Sequence, residues 1–245
     1  MKNMFSKGLV VLSLMIFAGS ANVMAQSVFA EGAKWGSKVK EALDALELKG
    51  DPENGYDIYQ VCAACHLPTA WGDPAGTFPM LAGQHTSVLI KQIADIRAGN
   101  RDNPTMYPFA IQIEGAQDLA DVVAYIATLP MNPDPPTGDG KLLKRGEELY
   151  KVNCVKCHKE TGEGSIKDSF PLIGGQVYDY IIRQLKWIRD GKRRNANPDM
   201  VKQVNEFSDE DFIAVADYVA RLKTPNHKRN LDELKTNPIY KNVKH

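Results

Sequence analysis

All four cysteines of this 245-residue chain fall in two five-residue runs, Cys62-Ala63-Ala64-Cys65-His66 and Cys154-Val155-Lys156-Cys157-His158. Two thiols about one helical turn apart can add to both vinyl groups of one porphyrin, and the adjoining imidazole then takes an axial position on the iron. A zinc site, a thioredoxin-like redox pair or a disulfide also uses Cys-x-x-Cys, but none of these needs the histidine that follows. The two matches leave no cysteine over for such a site. The chain therefore reads as carrying two covalently bound haem c groups, anchored by Cys62 and Cys65 and by Cys154 and Cys157, with His66 and His158 as axial iron ligands.

A haem held by one histidine needs a second axial ligand for electron transfer, or an open position for small-molecule chemistry. The chain supplies candidates by repeating itself. Phe78-Pro79-Met80-Leu81-Ala82-Gly83-Gln84 answers Phe170-Pro171-Leu172-Ile173-Gly174-Gly175-Gln176 at an offset of 92, the same offset that separates Cys62 from Cys154. Arg97-Ala98-Gly99-Asn100-Arg101 answers Arg189-Asp190-Gly191-Lys192-Arg193 at that offset too. Met200, 42 residues beyond His158, is the sole methionine of the second half, and Met106 lies in the matching stretch of the first, 40 residues beyond His66. Met106 and Met200 are thus the sixth-ligand candidates, thioether sulfur being a suitable soft ligand for haem iron. Met80 competes, but its repeat partner is Leu172, so it reads as a flexible packing residue. His85 answers Val177 and reads as a surface or capping residue.

Helices must position these groups. Trp35, Val39, Leu43 and Leu46 recur at helical spacing and predict a short amphipathic helix ending at Gly50, packed on the first domain through that stripe. Val88, Ile90, Ile93 and Ile96, like Tyr180, Ile181, Leu185 and Ile188, mark a middle helix in each repeat, ending near Gly99 and Gly191. A closing helix covers Asp118 to Tyr125 in one repeat and Asp211 to Tyr218 in the other. No strand-like alternation persists, so the predicted fold is all-α. The expected divisions are a signal peptide over 1–25, an N-terminal extension over 26–51, a first domain over 52–130, a Pro-rich semi-rigid linker over 131–140, a second domain over 141–223, and an irregular tail over 224–245.

Lys2 and Lys7, the apolar run from Gly8 to Ala21 and the small residues of Val23-Met24-Ala25 have the pattern of an export signal cleaved near Ala25; the run is shorter than the roughly 20 residues of a spanning helix. The expected location is the periplasm. Formal charge divides as the repeat does: residues 26–134 hold 7 Lys and Arg against 14 Asp and Glu, net −7, and residues 135–245 hold 21 against 16, net +5. Overall neutrality conceals a dipolar molecule that would orient in an encounter complex. Catalytic carboxylate pairs, phosphate-binding loops and nucleic-acid patches are not evident.

The two Cys-x-x-Cys-His runs, each followed by Phe-Pro-x-x-x-Gly-Gln, a Gly/Arg turn, a candidate axial Met and a closing helix with Tyr, resemble the diheme cytochrome c4 family over residues 52 to 223. The resemblance implies two tandem class I cytochrome c domains related by pseudo-twofold symmetry. It also implies haem propionates near the interdomain boundary and periplasmic electron transfer toward a terminal oxidase. Carried onto this sequence, Pro79 and Pro171 would offer their carbonyls to the Nδ1–H groups of His66 and His158. Gly55 and Gly146 would sit against Tyr125 and Tyr218 where first and last helices cross, and Arg101 with Arg193 or Arg194 would face propionates. The loop from Leu67 to Thr77 departs from its counterpart, Lys159 to Ser169, in sequence.

The function expected is that of a soluble electron carrier and not an enzyme. It would join donors, such as a dehydrogenase or a quinol–cytochrome c reductase complex, to an acceptor oxidase, and touch membranes only through those complexes. An alternative is a cytochrome subunit of a periplasmic oxidoreductase complex. A diheme peroxidase or thiosulfate-oxidising enzyme fits less well, since a methionine is available in both halves and no cysteine is spare.

Overall fold

A computed structural model describes residues 40–225 together with 228 and 229. The expected signal peptide, Trp35, Val39 and most of the tail lie outside the described residues. Ten helices follow one another among the described residues: α1 Lys40–Glu47, α2 Pro52–His66, α3 Thr86–Arg97, α4 Tyr107–Ala110, α5 Gly115–Ala127, α6 Leu143–Asn153, α7 Val155–His158, α8 Tyr178–Arg189, α9 Pro198–Val204 and α10 Asp209–Arg221. A lone bridge between Ser165 and Phe170 is the nearest approach to β-structure among them. No described helix is long and apolar enough to cross a membrane.

Each half is held by a crossing of its first and last helices, α2 on α5 and α6 on α10. The crossing is close because a glycine stands at each contact. A Cβ on Gly55 would lie 2.0 Å from the Asp121 carbonyl oxygen, and one on Gly146 would lie 2.1 Å from that of Ala214. Tyr125 and Tyr218 flank these glycines, as the resemblance implied. Beside the crossings, Tyr59 and Tyr150 donate to the carbonyls of Leu67 and Lys159, just past the haem motifs, at 2.9 and 2.6 Å. Each core is apolar and separate, with Leu119, Val122 and Ile126 in the first and Phe212, Val215 and Val219 in the second.

A buried aspartate on each closing helix gathers the chain that leads into the half. Asp121, 3% exposed, accepts from the Asp51 amide at 2.7 Å and from Asn54 and Gln117. Asp217 accepts from the amides of Gly138 and Gly140, both at 2.8 Å, and from Arg221 at 2.9 Å. Burial works to raise the Asp121 carboxyl, but these donors outweigh it and hold the group below its ordinary value.

α1 does pack on the first half, although by a different face from the one predicted. Ala42 and Ala45 are the buried positions, whereas Leu43 and Leu46 are 50% and 43% exposed. The helix and the turn after it lie against α5 too closely for leucines: a Cβ on Gly50 would stand 2.4 Å from the Ala120 carbonyl oxygen. Arg97 pairs with Glu41 at 3.0 Å and ties α1 to α3.

Gly55→Ala and Gly146→Ala are each expected to destabilise the haem-loaded protein by about 3 kcal/mol, the upper end of the overpacking range, because backbone and not a movable side chain meets the new methyl. Denaturant midpoints measure this. Asp121→Asn should cost about 1–3 kcal/mol at neutral pH. The carboxylate's contribution is complete above its unfolded-state value near 3.8 and is lost as pH falls through the lower folded-state value. The stability curves of wild type and Asp121→Asn should therefore converge only in strong acid.

Candidate haem centres

The first motif rides on the C-terminal end of a single 15-residue helix, α2. The second is broken at Cys154, which closes α6 and precedes the short α7. All four cysteines are partly buried, and none is joined to another by a disulfide. Burial, reinforced by the neighbouring cysteine, pushes the Cys62 thiol up to about 11 and the Cys154 thiol up to about 12, so both are neutral in an apolar setting.

His66 and His158 are buried, 3% and 6% exposed. Nδ1 of His66 stands 3.0 Å from the Pro79 carbonyl, and Nδ1 of His158 stands 3.0 Å from that of Pro171. A carbonyl only accepts, so Nδ1 carries the proton and Nε2 keeps its lone pair for a metal. Desolvation lowers both imidazoles from their ordinary range despite the carbonyl partners, which also favours the neutral, ligating form.

After each histidine the backbone sets out on the same course in both halves, although the residues differ, and the two part at Gly76 and Ser169, whose positive φ angles fall one position out of register. Leu67 and Lys159 have φ of 66° and 64°, and Gly72 and Gly164 donate back to the carbonyls of His66 and His158 at 3.1 and 3.0 Å. Ala70 at φ 56° stands where the second half has Gly162. The departure noted in sequence is thus one of side chains over the first part of the loop and of backbone near its end.

Met106 opens α4, its amide bonded to the Asn103 carbonyl and side chain at 3.1 and 3.2 Å. Met200 lies on α9, partly buried against the second core. The competitor Met80 is 3% exposed, and its sulfur accepts from the Asn132 amide at 3.4 Å. His85 is not a surface residue: it is 7% exposed and its Nε2 donates to the Glu163 carbonyl of the second half at 2.6 Å.

Between the halves lies a polar cluster that follows the same repeat. Gln92 accepts from Arg101, Arg193 and Asn195 at 2.9, 3.1 and 3.1 Å. Gln184 accepts from Arg101 at 3.3 Å and Arg193 at 2.9 Å. Lys91 and Asp95, both almost wholly buried, form an ion pair, and Asn195 reaches Asp95 at 2.9 Å. Burial and the facing Arg101 push the Arg193 guanidinium down to about 10. Two guanidiniums thus face each other across the glutamines, beside the Lys91–Asp95 pair. The side-chain amide nitrogens of Gln92 and Gln184 are buried and unbonded, a symmetric pair of donors lacking acceptors. An unmet positive charge beside unmet donors is costly in a protein interior unless an anion satisfies both. Haem propionates are such anions, so the cluster, the paired thiols and the Nδ1-fixed histidines together fit two haems. Arg194 instead lies exposed and donates to the Gly99 carbonyl at 2.9 Å.

Sequence reasoning found the arginines but missed Gln92, Gln184, Lys91, Asp95 and Asn195. Gln92 and Gln184 stand 92 residues apart like the recognised pairs, a signal that was available.

Family models match both halves: one described as cytochrome c over residues 52–130, and one described as cytochrome c oxidase, cbb3-type, subunit III, over residues 141–219. The chain is 31% identical over 191 residues to cytochrome c4 of Azotobacter vinelandii, covering 71% of this chain and 90% of the relative. It is 32% identical over 199 residues to the thiosulfate dehydrogenase electron acceptor of Stutzerimonas stutzeri, covering 72% and 90%. Its fold is similar to the crystal structure of reduced recombinant cytochrome c4 from Pseudomonas stutzeri, with a TM-score of 0.65, 32% identity, and 71% of this chain and all of that one covered. The all-helical chain therefore comprises two cytochrome c domains and carries two covalent haem c groups, one per domain.

Replacing Cys154 and Cys157 together by alanine is expected to halve the covalent haem per polypeptide, measured as the pyridine haemochrome that survives acid–acetone extraction. The Cys62/Cys65 double replacement should remove the other half.

Proposed function

This chain belongs to the cytochrome c4 family, and from that premise we propose that it is a periplasmic carrier passing single electrons from a dehydrogenase or quinol–cytochrome c reductase complex to a terminal oxidase. That it is a diheme electron carrier and not itself a catalyst follows from its relatives. The observation that carries the finer reading is the repeated histidine geometry: two buried imidazoles, each with Nδ1 3.0 Å from a proline carbonyl, and a methionine available in the matching stretch of each half. When bound, each haem supplies a one-electron ferrous/ferric couple.

The chain's own residues do the rest. Cys62 with Cys65, and Cys154 with Cys157, hold the porphyrin edge covalently. His66 and His158 would hold the iron through Nε2, with the Pro79 and Pro171 carbonyls fixing ring orientation and raising ligand basicity through Nδ1–H. Met106 and Met200 would hold the iron through their sulfurs, and a thioether-ligated iron would favour electron transfer over substrate chemistry. The acidic first half and basic second half orient the molecule on its partners, an effect that weakens with salt. The division into domains over 52–130 and 141–223 with a linker over 131–140, and export with cleavage near Ala25, belong to the same reading.

The likeness to a thiosulfate dehydrogenase electron acceptor favours a second reading, in which such an enzyme is the donor. Stopped-flow reduction of the ferric protein by thiosulfate dehydrogenase and thiosulfate distinguishes the two: rapid reduction supports that donor, and none excludes it.

The ligand assignment is tested by the near-infrared methionine-to-iron band of the ferric protein. Met106→Ala and Met200→Ala should each remove about half of it, in line with one His/Met-ligated haem per half. An unchanged band in either variant removes that methionine from the iron, and a wild-type band of half intensity means that one iron is open or differently ligated.

A further inference from the structure

Resting on the electron-carrier reading, we propose that Gln84 and Gln176 are positioning residues that act across the domain boundary, each setting the hydrogen bond made by the axial histidine of the opposite half. The geometry runs through a single peptide group. The Pro79 carbonyl that faces His66 Nδ1 at 3.0 Å shares its amide with the N–H of Met80, and that N–H donates to Gln176 Oε1 at 2.9 Å. Gln176 Nε2 returns a bond to the Met80 carbonyl at 2.9 Å. In the other direction, the Pro171 carbonyl faces His158 Nδ1 at 3.0 Å, and the N–H of the same amide, on Leu172, donates to Gln84 Oε1 at 2.9 Å. Gln84 Nε2 donates to the Leu172 carbonyl at 2.8 Å.

Each glutamine is held for this task by its own backbone. The Val177 amide donates to Gln176 Oε1 at 2.9 Å, and the His85 amide to Gln84 Oε1 at 3.0 Å. Gln176 is 7% exposed, so its bonds face little competition from water. An amide whose N–H is donated to an acceptor becomes a better acceptor at its own oxygen, because hydrogen bonds in a chain polarise one another. The histidine Nδ1–H bond is thereby strengthened, the imidazole gains imidazolate character, and the ferric state of that iron is favoured. The second half thus adjusts the first haem through Gln176, and the first half adjusts the second through Gln84. A glutamine that merely glued the halves together would have no reason to choose, in both directions, the one peptide group that serves the histidine.

The test is a redox titration of the haem-loaded full chain, each haem being followed by its own assigned, paramagnetically shifted resonances. Gln176→Leu removes the acceptor and is expected to raise the ferrous-to-ferric ratio of the haem on Cys62 and Cys65 by about threefold at a fixed poise, leaving the other haem nearly unmoved. Gln84→Leu should do the same to the haem on Cys154 and Cys157. Gln176→Glu and Gln84→Glu keep the length and offer a stronger acceptor, so at neutral pH they should move the same haems the opposite way; they also carry the test if a leucine variant fails to load haem. A shift confined to the haem of the glutamine's own half, an equal shift of both haems, or no shift overturns the proposal. The unsubstituted protein, titrated alongside, tests the carrier reading separately, since that reading requires two reversible one-electron steps there.

Discussion

One peptide group in each half, Pro79–Met80 and Pro171–Leu172, bears on most of what this fold does. Its carbonyl is the partner of a buried histidine, and its N–H is bonded to the other half. A buried amide must have both its groups paired, and here the two partners are an axial ligand and a foreign domain. That constraint links local loop geometry to tertiary arrangement. The loops from His66 to Pro79 and from His158 to Pro171 start alike, with matching positive φ at Leu67 and Lys159 and at Gly72 and Gly164, and deliver that group to the same distance from each histidine. The glycine-mediated helix crossings and the tyrosine bonds to Leu67 and Lys159 brace the starting points of those loops.

Much of this was legible in the sequence because it is covalent or periodic. The haem motifs are fixed spacings, the middle and closing helices have apolar periodicity, and the duplication lets each half vouch for the other. What escaped depended on contact between distant residues. Periodicity placed Leu43 and Leu46 in the core, yet proximity to α5 admits only the small Ala42 and Ala45 there. His85 has no repeat partner of its type and so read as a surface or capping residue; it stands at the N-cap of α3, but the second half covers it and accepts its Nε2–H through the Glu163 carbonyl. The loop after each motif appeared unmatched because its side chains differ, while the backbone conformation of its first part, carried by Gly72 and Gly164, is what repeats.

The mutual placement of the halves shows the same limit. A proline-rich connection suggests orientation restrained by a stiff tether. The structure instead has a dense set of direct bonds: the reciprocal glutamines, His85 to Glu163, Arg183 to the Thr77 carbonyl at 2.8 Å, and a fastening by the chain beyond α10. There Lys228 accepts from the Met131 amide at 2.8 Å and donates to the Gly83 carbonyl at 3.1 Å. Arg229 joins the Asn132 and Leu222 carbonyls at 2.8 and 3.2 Å. The residues described beyond α10 thus connect the end of the first half to the end of the second, a role that composition did not disclose.

The charge arrangement follows from that closeness. Opposite net charges on the two halves give long-range attraction, but between exposed groups it is screened within about 10 Å at ordinary salt. The buried cluster behaves differently. Arg101 and Arg193 face each other beside the Lys91–Asp95 pair where little water penetrates, so their mutual repulsion falls off slowly and negative charge beside them is favoured. Propionates of haems bound on either side of that boundary would supply it.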